Sequence, residues 1–166
     1  LLASSAASDV YKRQVEEPFT SPPENTRAIP YVWPVNTFDI EQGAQIVGAF
    51  PSATEGYDLA EPNEHTQFQD FGHSHWKNSL IWGIGLEDIT ISGPGLIYGK
   101  GLTREESRLP GVGNKAISLK LCKNVTLKDF SLLHCGHFGL LATGVDNLSI
   151  LNVKVDTNPV SYTHLR

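Results

Sequence analysis

Three segments of this chain repeat one pattern at a spacing that few folds can accommodate. Glu87-Asp88-Ile89-Thr90-Ile91-Ser92-Gly93, Lys123-Asn124-Val125-Thr126-Leu127-Lys128-Asp129 and Asp146-Asn147-Leu148-Ser149-Ile150-Leu151-Asn152 each read as a polar turn followed by alternating apolar and polar residues. Alternation with period two marks a strand that buries one face. Val125 and Leu148 are 23 residues apart, whereas Ile89 and Val125 are 36 apart. The excess of 13 equals the length of residues 100–112, KGLTREESRLPGV, whose charge and Pro/Gly content predict a surface loop inserted between two copies.

Neighbouring segments keep the same spacing. Ile81, Ile117 and Leu140 lie eight residues before the three markers Ile89, Val125 and Leu148, and Leu96, Leu132 and Val155 lie seven after them. Three apolar columns with one period of 23 residues predict a unit of three short strands, which is what one coil of a parallel β-helix requires, because each coil buries its inward side chains only against its neighbours. Evenly spaced strands would also suit a β-sandwich, but a sandwich gives no reason for three columns to share a period. A leucine-rich repeat has a similar period, but its LxxLxLxxN signature is missing. The expectation is an all-β chain in which Ile81, Ile117 and Leu140 stack.

Composition narrows the class further. At 166 residues and 40 % hydrophobic content, the chain has the length and apolar mass of one domain. Fifteen glycines and ten prolines, without sustained helical spacing of apolar residues, weigh against a bundle. A net charge of −5 with 13 unclustered basic residues argues against nucleic acid as a partner, and no apolar run has the length of a membrane helix. Cys122 and Cys135 make neither a disulfide framework nor a metal-ligand spacing, and read as packing thiols.

Both ends read as foreign to the domain. Residues 1–14, LLASSAASDVYKRQ, and residues 159–166, PVSYTHLR, resemble translated adaptor sequence. The rival reading of residues 1–7 as the tail of a signal peptide lacks a basic start and a proper apolar run. The expected division is a non-native leader at 1–14, β-helix coils at 15–158 and a non-native tail at 159–166.

The ordered landmarks of residues 43–158 resemble the N-terminal half of glycoside hydrolase family 28, the polygalacturonase group. Gly43-Ala44-Gln45-Ile46-Val47-Gly48-Ala49 with Glu55-Gly56-Tyr57 is similar to that family's first coil. Asn78-Ser79-Leu80-Ile81-Trp82, the run from Leu86 to Gly93, and Gly95-Leu96-Ile97-Tyr98-Gly99 are similar to its next segment, and Asn114 to Val155 to the two coils that follow. The resemblance implies a right-handed, single-stranded parallel β-helix of the pectin-lyase type, truncated here. It further implies hydrolysis of a pectic polysaccharide, a secreted or periplasmic location, a polysaccharide substrate as partner, no cofactor, and a monomer when complete. In Asp156-Thr157-Asn158, the asparagine matches one that the family follows with an Asp-Gly pair carrying a catalytic carboxylate. Here Pro159 and Val160 follow instead.

Glycoside hydrolysis normally needs two carboxyl groups, one to protonate the leaving oxygen and one to activate water or attack the sugar. The family's carboxylates would lie beyond Asn158, so no catalytic residue is assigned and the chain is expected to be inactive. The adjacent pairs Glu16/Glu17, Glu87/Asp88 and Glu105/Glu106 do not replace them. Neighbours on a strand point to opposite faces, and acids in a charged loop are solvated.

Stepping back by the period from His137 gives Asn114 and Asn78, and from Phe138 gives Lys115 and Ser79. The resemblance places the catalytic acid one coil further along, which makes Asn114, Lys115, His137 and Phe138 candidate substrate-binding residues. A ring can stack on a sugar face, amide and imidazole groups can bond hydroxyls, and an ammonium can meet a galacturonate carboxylate. The competing reading makes His134 and His137 turn residues that bond carbonyls. His65, His73 and His75, with Glu64 and Asp70, match no zinc signature and read as a polar loop over the first coil, so no metal is assigned.

Two further readings keep the architecture and change the role. One is a β-helix polysaccharide lyase that uses calcium-binding acids and a basic residue, and the other is a non-catalytic carbohydrate-binding or adhesion β-helix. An end at Asn158 would leave the last coil uncovered, with poor solubility as the expected consequence.

Overall fold

A computed structural model describes residues 3–4, 37–52, 56–68, 71–104 and 109–156. Its strands are β1 (Ala3–Ser4), β2 (Thr37–Asp39), β3 (Gln45–Val47), β4 (Ser79–Ile84), β5 (Glu87–Ser92), β6 (Leu96–Tyr98), β7 (Lys115–Lys120), β8 (Lys123–Lys128), β9 (Ser131–Leu133), β10 (Phe138–Thr143), β11 (Asp146–Leu151) and β12 (Lys154–Asp156). A 3₁₀ turn, Glu64–Gln67, and one helical turn, α1 (Phe71–Ser74), are the described helical elements. The fold is all-β.

From β4 onward the chain visits three sheets in strict rotation. β4, β7 and β10 pair in the first sheet, β5, β8 and β11 in the second, and β6, β9 and β12 in the third, all parallel. β2 and β3 extend the second and third sheets in the same sense. β1 is the exception, pairing antiparallel with β4 through Ala3 and Ser4, two residues of the expected leader. All of the remaining residues assigned to the leader, and the whole tail, lie outside the described residues.

The expected columns appear as register. Ile81 pairs with Ile117 and Ile117 with Leu140, and Ile89 pairs with Val125 and Val125 with Leu148. β-branched and leucine side chains at these positions fill the core. Ile117, Ile97, Val125, Leu127 and Ile91 are all buried, each contributing about 1.5–3 kcal/mol relative to exposure. Burial fades along each column, because Ile150 and Val155 in the last strands have no overlying neighbour among the described residues and stand half in water.

The third column needs a correction. Leu132 pairs with Ile97 and Val155 with Leu132, whereas Leu96 pairs with Ser131 and is only half-buried. Four residues, Ser92-Gly93-Pro94-Gly95, separate the paired positions Ile91 and Leu96, but three separate Leu127 from Ser131. The extra residue shifts the strand by one, and a one-residue shift exchanges its two faces. Gly95 is required at this corner, since a β-carbon there would meet the Ile40 side chain at 2.3 Å.

The insertion is therefore split. One of its 13 residues lies in the Gly-Pro-Gly turn, and residues 100–112 occupy the place that Cys135 fills alone in the next circuit. Gly99 N donates to Leu133 O, which aligns Gly99 with His134, and the pairing of Lys115 with Phe138 aligns Gly113 with Gly136.

Corners are built from left-handed residues that repeat with the strands. Asp88, Asn124 and Asn147 have φ of 55, 54 and 56°, and Asp129 and Asn152 have 66 and 51°. Asparagine and aspartate tolerate this region because their short side chains bond locally. Here they also bond each other. Asn124 Nδ2 donates to Asp88 Oδ1 at 2.8 Å, Asn147 Nδ2 to Asn124 Oδ1 at 2.9 Å, and Asn152 Nδ2 to Asp129 Oδ1 at 3.0 Å.

A third corner sets Gly85, Leu121 and Gly144 in one column, with φ of 65, 53 and 62°. Leu121 is the misfit, because its side chain is 63 % exposed and its backbone occupies a region that costs an L-residue roughly 1–2 kcal/mol. Leu121→Gly is expected to stabilise the chain by about 0.5–1 kcal/mol, part of the strain relief being offset by the freedom glycine gains when unfolded. The check is the denaturation midpoint, which should rise. A lower midpoint would show that the Leu121 side chain contributes more packing than its backbone costs.

Candidate functional site

The two columns expected at the entrance to the first sheet are present. Asn114 N donates to Asn78 O at 3.0 Å and His137 N to Asn114 O at 2.7 Å, and Ser79, Lys115 and Phe138 pair in register. Their environments differ. Asn78, Ser79, Asn114 and Lys115 are buried, Lys115 completely, while His137 and Phe138 are partly exposed.

Lys115 Nζ donates to Asn78 Oδ1 at 3.1 Å and to Asn114 Oδ1. Both amides turn their oxygens to the ammonium, and their Nδ2 atoms then find no acceptor among the described residues. A buried cation without acceptors is costlier than two neutral N–H groups without partners, and bonds to charged groups are worth about 1.5–3 kcal/mol against about 1 for neutral ones. The charge decides the orientation. Lys115 and Asn114 thus face each other inside the protein, and of the four candidates His137 and Phe138 are the two that reach solvent.

A third ring joins them from a part of the chain read from sequence only as a polar loop. His73, in α1, lies 4.7 Å from Phe138 and 6.2 Å from His137 between centroids, and His137 and Phe138 are 4.4 Å apart at 88°. His137 Nδ1 is 3.0 Å from Arg104 O, a carbonyl of the inserted loop. That bond places the proton of the neutral imidazole on Nδ1 and leaves Nε2 as an acceptor. The carbonyl-bonding reading of His137 therefore describes one ring nitrogen, and the partner comes from the loop and not from the local turn.

Residues 57–68 and 71–78 are held to the first sheet and to each other by a few specific bonds. Glu61 accepts from the backbone N–H of Trp76 at 2.9 Å and of Lys77 at 3.1 Å, and His75 Nδ1 lies 2.7 Å from Glu61 O. Trp82 Nε1 donates to Asp58 Oδ2 at 2.9 Å. Trp76 is the anchor, since its Nε1 donates to Thr143 Oγ1 at 3.3 Å and Lys120 Nζ sits 4.0 Å from its ring centroid. Sequence reasoning passed over Trp76. A tryptophan in an otherwise polar stretch is a signal, because so large an apolar surface seldom remains in water.

No carboxylate pair suited to acid–base work occurs at this site among the described residues. Glu87 and Asp88 are exposed, and Asp88 is engaged in the corner ladder. The side chains of Glu16, Glu17, Glu105 and Glu106, together with Asn158, lie outside the described residues, as do Asp70 and the His65 side chain. Among the described residues no three His, Cys, Asp or Glu side chains are grouped to hold a metal, and no helix is long and apolar enough to cross a membrane. Three rings and an imidazole acceptor can hold a polar ligand with an apolar face. Comparison with protein-family profiles, curated proteins and solved structures finds no match to the chain.

Two outcomes follow from the buried groups. Lys115→Met removes the donor from two buried amide oxygens and is expected to destabilise by about 2–4 kcal/mol, read from chemical denaturation. An unchanged midpoint would show that the ammonium does not organise Asn78 and Asn114.

Burial pushes the Cys135 thiol from its ordinary 9.0 up to about 11. The folded chain therefore keeps this proton when the unfolded chain has lost it, so the contribution is full at neutral pH and is lost as pH rises from about 9 to about 11. Stability should fall over that interval, and Cys135→Ala should make the fall shallower. An identical slope in the variant would refute the assignment.

Proposed function

We propose that the three rotating sheets are the first circuits of a right-handed parallel β-helix, and that the chain is the N-terminal part of a family 28 glycoside hydrolase acting on pectic polysaccharide, polygalacturonate or a rhamnogalacturonan. The observation that carries the architecture is the register that sets Ile81, Ile117 and Leu140 side by side while the chain passes through two other sheets between them. Right-handedness follows from the general preference of parallel crossover connections.

Support for the enzymatic reading is the order of sequence landmarks that resemble the family, with the ring cluster on their predicted column. In this reading His137 and Phe138 belong to the floor on one side of the cleavage point, and Lys115, Asn78 and Asn114 fix the backbone beneath them. The carboxylates that protonate the leaving oxygen and activate water come from later circuits, and the 166-residue chain is inactive by itself.

The test is a longer reading frame continuing past Asn158 in the parent DNA, expressed and incubated with polygalacturonate. Hydrolysis with inversion at the anomeric carbon, abolished by replacing the acid of an Asn-x-Asp-Gly sequence, is the expected result. A product with a new carbon–carbon double bond would instead identify a lyase. Absence of grouped acids in the added circuits would identify a binding protein.

A further inference from the structure

We infer that the corner between the third and first sheets is a second carbohydrate-contact site, selective for sugars bearing a carboxylate, built from Phe50 and Lys100 with Tyr98 and His134 beside them. The inference rests on the pectic reading above and adds a place and a charge preference to it.

Phe50 is 64 % exposed, and Lys100 Nζ stands 5.8 Å from its ring centroid. The two come from successive circuits whose backbones touch. Gly101 N donates to Gly48 O at 3.1 Å, and a β-carbon at Gly101 would collide with Ala49 O. This contact fixes Lys100 beside Phe50. Tyr98, the pairing partner of Val47, meets His134 of the following circuit edge-on at 5.3 Å between centroids. Tyr98 and Lys100 thus lie two residues apart in one circuit, with Phe50 of the preceding circuit against Lys100 and His134 of the following circuit against Tyr98.

A Lys–Phe contact in water is worth only about 0.5–1 kcal/mol, too little to offset leaving so much of a phenylalanine ring exposed. A sugar ring laid on Phe50 would cover that surface, and its carboxylate would meet the Lys100 ammonium. The chain carries a net charge of −5, so its long-range field disfavours an acidic polymer and local cations must supply the attraction. Lys100 and Arg104, both exposed, lie in the inserted loop at this corner, and the Arg104 carbonyl ties that loop to His137. The insertion thus links the corner to the ring cluster.

Chemical-shift titration of the 166-residue chain with hexagalacturonate, its fully methyl-esterified form and maltohexaose tests this. Hexagalacturonate should bind best. Phe50→Ala should weaken the acid and the ester alike, about tenfold, whereas Lys100→Gln should weaken only the acid, by about three- to tenfold, and remove its advantage over the ester. Both side chains are exposed, so both variants should retain the parent denaturation midpoint.

Equal binding of hexagalacturonate and maltohexaose, or no binding of either, would overturn the corner site without bearing on hydrolysis by the longer frame. If both variants bind as the parent does while His137→Ala loses binding, the ligand sits on the ring cluster and the corner is not a site. If the corner variants behave as expected but the longer frame proves to be a lyase or a binding protein, the hydrolase reading fails and the corner stands.

Discussion

Everything in this fold depends on parallel strands meeting in register, so that like side chains lie next to like. One strand from any circuit buries little by itself. Ile117 is fully buried because Ile81 and Leu140 flank it on neighbouring strands, and the same holds for Val125 between Ile89 and Leu148. Each circuit therefore contributes stability only through its neighbours, and burial declines at Ile150 and Val155, where a described neighbour is lacking.

Register has to be held at the corners as well as along the strands. The Asp88–Asn124–Asn147 ladder does this with exposed bonds, each worth little in water. Its value is geometric, because the left-handed backbone at each rung and the bond to the next rung fix the phase in which the following strand starts. The Gly93-Pro94-Gly95 corner shows what happens when the phase changes by one residue. Ile97 replaces Leu96 in the core, and the strand after it keeps its place only because the long loop absorbs the remainder.

That event also explains what was legible in the sequence. The period, the first two columns and the alignment of Asn78, Asn114 and His137 could be read directly, since strands with one buried face carry the alternation on the surface of the sequence. Leu96 could not be placed, because Leu96 and Ile97 are both apolar and only a count of turn residues separates them. The candidate site was legible as a column but not as an environment. Asn114 and Lys115 look like surface binding groups by type, and their burial is decided by the side chains around them. His73 was even less accessible, since its approach to Phe138 depends on how Trp76 and Glu61 pin a non-repeating segment.

The groups with chemical character gather where the period is broken. His73, Trp76 and Glu61 lie in residues 48–78, and Lys100 and Arg104 lie in residues 100–112, while the repeating strands supply mostly core and ladder residues. A repeat that must match its neighbours has few positions at liberty to vary, because any change of length at a corner shifts the faces of the next strand. An insertion that leaves and rejoins at one corner, as residues 100–112 do between Gly99 and Gly113, changes the surface without disturbing the register. His137 stands where the two kinds of segment meet, its backbone N–H bonded to the repeating column at Asn114 O and its ring to the inserted loop at Arg104 O. A surface built this way is positioned by the stack and varied by the loop, which is why the repeating part of the chain could be read from its spacing and the inserted part could not.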